Sequence, residues 1–355
     1  MLIYQYVVQI RIWVLYQIDG AQTKSLDSEA AVAENEVDEL NKLIADGLSF
    51  HDSGNVEAAR DCYLRVLEHD PRNSKALDLA GLLCMQCGEP DAAKEFYKSA
   101  IEVEPDNPRF LLHLGILLLE QDELVESESV MQQVLELDTD YADARFYLAL
   151  NMRATNRREE SKEMLELACA LDRENSNFHK WLGLISMETG DLVTALEYTK
   201  TALELDADDV TAYVQLGGVL CALEDLVLAE KALRAGLDIN PEDIRCRAEL
   251  AAVLIETDQF EAAKKELDTV MSKGGREHGN ALSSLALFES LKGDEKKTLD
   301  LIDDAMEVDG KSIDVLLRAY KIFTKLGDPK KANRVLDELQ DIAPDDPRVM
   351  GLLLD

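Results

Sequence analysis

Two thiols three residues apart, Cys84 and Cys87, are the first place in this sequence where chemistry could be done. A C-x-x-C pair can be half of a zinc site or a redox couple. Zinc would need two more soft ligands, and the 355 residues hold no second C-x-x-C and no histidine pair. The other cysteines, Cys62, Cys169, Cys221 and Cys246, stand singly, too few for a disulfide framework and in keeping with a reducing compartment. The histidines at 51, 69, 113, 179 and 278 are scattered. His51–Asp52 and His69–Asp70 are neighbours in sequence only, and no Ser or Cys stands at a spacing that would complete a nucleophile. Neither a G-x-x-x-x-G-K loop nor a G-x-G-x-x-G turn is present to cradle phosphate. The expectation is therefore a protein that is not an enzyme, with no catalytic residue, no cofactor and no metal.

Charge narrows the partners. Lys and Arg total 37 against 71 Asp and Glu, a net −34, so phosphate backbones and anionic lipid surfaces are repelled and nucleic acid is excluded as a partner. With 46% of residues hydrophobic, the acidity does not signal disorder.

The elements that would position any functional residue announce themselves by a period. The endings HDP at 69–71, VEP at 103–105, LDT at 137–139, LDR at 171–173, LDA at 205–207 and INP at 239–241 recur every 34 residues. KGG at 273–275 keeps step, VDG at 308–310 falls one residue late, and IAP at 342–344 resumes it. A second track runs Gly47, Gly81, Gly115, Ala149, Gly183, Gly217, Ala251, Ala286 and Tyr320. A third follows twelve residues behind, from Ala59, Ala93 and Ser127 through Ser161, Ala195, Ala229 and Ala263 to Thr298 and Ala332. Within a unit, Leu77, Ala80, Gly81 and Cys84, then Ala93, Phe96, Tyr97 and Ala100, have helical spacing. Gly-Glu or Gly-Asp turns, such as Gly88-Glu89 and Gly190-Asp191, separate the two helices. Small residues stand where the two axes cross, and Tyr63, Tyr97, Met131 and Leu165 are expected to fill the gap to the next unit. Cys84 takes the eleventh place of its unit, where other units carry Phe50, Leu118 or Leu220, so the thiol pair is packing.

The pattern resembles the tetratricopeptide repeat family over roughly residues 40–346. The resemblance implies an all-α fold, a right-handed α-solenoid (superhelix) of about nine helix hairpins spanning 37–346 and closed by a short capping helix at 347–355. It also implies that the first helix of each hairpin lines a concave groove. At the fifth, ninth and twelfth places these helices carry Ile44 and Leu48; Leu82 and Met85; Leu112, Ile116 and Leu119; Phe146 and Leu150; Leu184 and Met187; and Val214. Basic groove residues are Lys75, Arg109, Arg153 and Lys180, with Arg245 further on, and acidic ones are Asp78, Glu120, Asp143, Glu188 and Glu256. An apolar stripe of this length suits an apolar strand or an amphipathic helix from another protein; the competing reading is that tight curvature buries it between neighbouring units. The Lys-x-x-x-Asn clamp by which some members hold a C-terminal carboxylate is missing, since Lys180 is followed by Leu184.

The ends differ. Residues 1–20 open with MLIYQYVVQIRIWVLYQI, an apolar run broken by Gln5, Gln9, Arg11 and Gln17. A central Arg costs about 2.5–3.5 kcal/mol in a membrane span, so three readings stay open: a weak anchor, a segment lying in the protein's own groove, or a mis-assigned start. Residues 21–36 read as a polar linker. At the other end, a cap starting at Pro347 should leave a patch around Val349, Met350, Leu352 and Leu353 that is exposed or covered by a partner. The expected function is a cytoplasmic scaffold or adaptor that holds a partner peptide or helix in its groove, membrane-anchored if residues 1–18 serve as an anchor. The alternatives are a structural subunit working through the array's ends or convex face, with self-association through the C-terminal end, or an accessory to an enzyme on another chain.

Overall fold

A computed structural model describes residues 26–353, with side chains from 37 on. The segment 1–18 and its three readings lie outside the described residues. Nineteen α-helices and one 3-10 turn follow one another with no strand among the described residues. The helices run in nine successive pairs: α1 Leu26–Asp52 with α2 Val56–His69, α3 Ser74–Gln86 with α4 Pro90–Val103, α5 Pro108–Glu120 with α6 Leu124–Leu137, and α7 Ala142–Ala154 with α8 Arg158–Leu171. After these come α9 Ser176–Glu188 with α10 Leu192–Leu205, α11 Val210–Ala222 with α12 Leu226–Ile239, and α13 Ile244–Glu256 with α14 Phe260–Ser272. The last are α15 Gly279–Lys292 with α16 Glu295–Asp309, α17 Ile313–Lys325 with α18 Pro329–Ile342, and then the short α19 Pro347–Leu352. The chain is an all-α solenoid. It divides into two compact units, residues 1–151 and 152–355.

The small-residue tracks have the contacts their size requires. A Cβ built on Gly47 would lie 2.6 Å from Tyr63 Cε1, on Gly81 2.5 Å from Tyr97 Cε1, and on Gly115 2.6 Å from Met131 Cε. The big side chain therefore lies over the glycine of its own hairpin, and Tyr97 also reaches the next unit as expected, its ring lying 5.7 Å from that of His113. On the second helices, Ala59, Ala93, Ser127, Ala195, Ala229 and Ala263 are fully buried. Ser127 keeps a polar atom there by donating from Oγ to the Gly115 carbonyl at 2.8 Å.

Each turn between paired helices contains one left-handed residue. Gly54, Gly88, Gly190, Gly293 and Gly327 take it, but in the remaining turns the same place is held by Asp122, Asn156, Glu224 and Asp258, with φ between 57° and 63°. Helix starts are capped from the turns: Asn73 accepts from Ala76 N, Asp209 from Ala212 N, Asp225 from Leu228 N and Asp328 from Lys331 N. Helix α1 begins at Leu26, inside the stretch read as linker. At the far end Val349 is fully buried in the last core cluster and Leu352 packs partly against it, leaving Met350 and Leu353, each half exposed, of the expected patch. The cap turns its one β-branched residue inward, which is why the patch is smaller.

Candidate binding site

The two thiols of the opening question are not a site. Cys84 is buried in the core between α3 and its neighbours, and loss of water pushes its thiol up to about 12. Cys87 is partly exposed at the end of α3, with Arg60 Nη2 at 3.3 Å from its sulfur.

In the first unit the candidate groove residues sort by depth. Ile44, Leu112 and Phe146 are buried, while Leu48, Leu82, Met85, Ile116, Leu119 and Leu150 stay half-buried. Lys75 and Arg109 are exposed. Arg109 and His113 converge on Asp78, a carboxylate only 1% exposed: Arg109 Nε lies 3.3 Å and His113 Nδ1 2.5 Å away. These partners satisfy a carboxylate shut off from water, so the cluster fixes α5 against α3.

The second unit contains a cavity of about 880 Å³ lined by the first helices α9, α11, α13 and α17 and by α19. Of the candidates, Lys180, Leu184, Met187 and Val214 line it; Leu184 and Met187 are half-buried and Val214 is 8% exposed. Lys180 is spoken for, its Nζ 2.6 Å from Asp209. Arg153 grips Glu188 through Nε and Nη2 at 2.6–3.2 Å and lies 5.7 Å from the centre of the Trp181 ring.

Of the charged floor of this cavity, sequence reasoning reached Lys180, Arg245 and Glu256 and missed the rest. Arg318 Nη2 donates to Glu249 at 2.6 Å, Lys321 to Glu256 at 2.8 Å, and Arg348 to Asp314 at 2.7 Å and Asp346 at 2.8 Å. Burial pushes the Glu249 carboxyl up despite Arg318, whereas at Asp314 Arg348 and Arg318 outweigh burial and hold the carboxyl down. Trp181, Glu249 and Arg318 all occupy the sixth place of their units, which a reading by the fifth, ninth and twelfth places passes over. Among the described residues no group of three or more His, Cys, Asp or Glu could hold a metal.

Family models described as tetratricopeptide repeats match residues 45–102 and 85–134, on the hairpins of the first unit. The chain carries tetratricopeptide repeats (TPRs) over residues 45–134. A further model, described as the CABIN1 N-terminal domain, matches residues 171–283. Among solved structures, this TPR chain is similar to the APC/C hetero-tetramer Cut9–Hcn1, at 16% identity over 89% of this chain and 60% of that one, with a TM-score of 0.58. It is also similar to a TPR protein from Parabacteroides merdae, at 12% identity over 75% of this chain and 98% of that one, with a TM-score of 0.54. Both likenesses speak to the fold alone. No curated protein matches the TPR chain. No helix among its described residues is long and apolar enough to cross a membrane.

Proposed function

We propose that this TPR protein is a non-enzymatic, cytoplasmic scaffold that holds a segment of a partner polypeptide on the inner faces of its first helices, in an adaptor or assembly role. One observation carries the reading: the cavity of the second unit, where Trp181, Leu184 and Met187 offer part-exposed apolar surface beside the ion pairs Arg318–Glu249 and Lys321–Glu256. Concave, mostly apolar sites with a few fixed polar groups are where proteins hold ligands. The half-buried row from Leu48 to Leu150 gives the first unit a similar inner face.

Substitution of glutamate tests it. The pair Leu184→Glu and Met187→Glu, and separately the triple Leu82→Glu, Ile116→Glu and Leu150→Glu, should abolish recovery of the co-purifying chain while helicity by circular dichroism persists. Undiminished recovery with both sets would refute the reading. A second reading has its own support. Val125, Val193 and Val227, at the same place of three second helices, are 64–78% exposed, so contacts through the outer face or the ends are the alternative. Sedimentation of a chain ending at Asp346 tests that one: loss of self-association supports it.

A further inference from the structure

One place on the first helices is large and apolar in most hairpins, and the second unit leaves it unfilled twice. The residue after each member of the glycine and alanine track is Leu48, Leu82, Ile116, Leu150 and Leu184 in the first five hairpins. It is Leu287 in the eighth and Lys321 in the ninth. In the sixth and seventh it is Gly218 and Ala252, and both line the cavity. The two neighbouring glycines of α11 differ in what their smallness does. A Cβ built on Gly217 would lie 2.8 Å from Leu233 Cγ, so that glycine lets the hairpin close. A Cβ built on Gly218 meets nothing within 4 Å. No packing partner requires a glycine there, and its effect is a hollow in the inner wall. The hollow is deep, because Leu233 of the second helix α12, only 1% exposed, also lines the cavity.

Size and surroundings specify what fits. Compared with leucine at both places, Gly218 and Ala252 fall short by about seven carbon atoms, which is the side chain of one phenylalanine at the close packing of a protein interior. Val214 and Cys221 stand one turn to either side of Gly218 on α11, and Val253 follows Ala252 on α13; all three line the cavity and carry no charge. Glu249 and Glu256 stand one turn to either side of Ala252, and each holds a cation, Arg318 at 2.6 Å and Lys321 at 2.8 Å. An aromatic ring is electropositive at its edge and electronegative on its face. It can therefore offer its edge to the carboxylates and its face to the cations, which an aliphatic side chain cannot do.

We propose that the hollow at Gly218 and Ala252 is a specificity pocket for one aromatic side chain of the partner, and that these two small residues set the choice. This rests on the partner-binding reading above and adds which side chain anchors the partner. The test titrates the full chain with N-acetylphenylalanine amide, N-acetylleucine amide and N-acetylalanine amide, with the methyl NMR signals of Val214 and Val253 reporting occupancy. The phenylalanine amide should bind about tenfold more tightly than the alanine amide, with the leucine amide between them. Gly218→Leu fills the hollow from within and should weaken the phenylalanine amide by about tenfold while leaving the alanine amide unchanged.

Circular dichroism checks that Gly218→Leu folds. Gly218→Ala adds one carbon in open space, so it keeps the test decisive if the larger variant unfolds; it should weaken the phenylalanine amide by about threefold. Equal affinity for the phenylalanine and leucine amides, or an affinity that neither Gly218 variant changes, would overturn the inference. If that happens while the glutamate substitutions still abolish partner recovery, the inference alone fails and the scaffold reading stands.

Discussion

Gly81 and Gly218 both lie inside first helices, yet alanine should shift stability in opposite directions at the two positions. In a helix interior alanine is favoured over glycine by about 1 kcal/mol. At Gly218 a new Cβ meets nothing within 4 Å, so Gly218→Ala should stabilise the protein by up to about 1 kcal/mol. At Gly81 the same atom would lie 2.5 Å from a Tyr97 ring that is only 1% exposed and has nowhere to go. Overpacking of that kind costs about 1–3 kcal/mol, which outweighs the propensity, so Gly81→Ala should destabilise by about 1 kcal/mol. Urea midpoints at unchanged slope measure both. The tight positions were legible in the sequence as a track of small residues, because every hairpin needs the same close crossing. The left-handed turn places at Asp122, Asn156, Glu224 and Asp258 were not, because the sequence marks that conformation only where it spends a glycine on it.

Between elements, one residue often serves two helices. Asp191 caps α10 by accepting from Thr194 N at 3.1 Å and takes Lys162 of α8 at 2.8 Å. The Lys162 hydrogen bond first, then the cap, lower its carboxyl to about 2. The sign follows: a carboxyl depressed in the folded state stabilises fully above the ordinary carboxylate range, and that contribution is lost as pH falls from about 4 through 2. Asp191→Ala should therefore cost about 1 kcal/mol at neutral pH, the usual worth of a cap, and the gap from the parent should close as the solution approaches pH 2. Thermal melts of both proteins from pH 7 to pH 2 check this; a constant gap would contradict the assignment. Lys94 reaches Glu123 at 2.7 Å between the corresponding helices of the first unit, so the link belongs to the repeat, although Glu123 makes no side-chain cap. Such links between neighbouring hairpins are periodic, and periodic features can be read from a sequence.

At the scale of the whole molecule, contacts that skip hairpins escaped that reading. Arg318 reaches Glu249 across 69 residues, and Arg158 reaches Ile342 across 184. Both depend on curvature accumulated over several units, which no single unit encodes. The fold was thus legible almost entirely, and the apolar side of the second unit's cavity in part, through Leu184, Met187 and Val214; of its charged floor only Lys180, Arg245 and Glu256 were, and the Arg158–Ile342 contact was not. Net charge acts on the same scale. A chain at −34 repels itself, so adding sodium chloride from low ionic strength should raise the thermal midpoint as screening shortens the reach of the repulsion. A falling midpoint would mean that paired ions such as Lys321–Glu256 matter more than the excess charge.

The central claim, that inner faces hold the partner, is tested most directly by photo-crosslinking. A photoreactive phenylalanine analogue placed at Leu184 or Met187, inside the cavity, is compared with the same analogue at Val193 or Val227, on exposed second-helix surface. The partner chain should be captured from the inner positions and not from the outer ones. Capture from Val193 or Val227 alone would contradict the account.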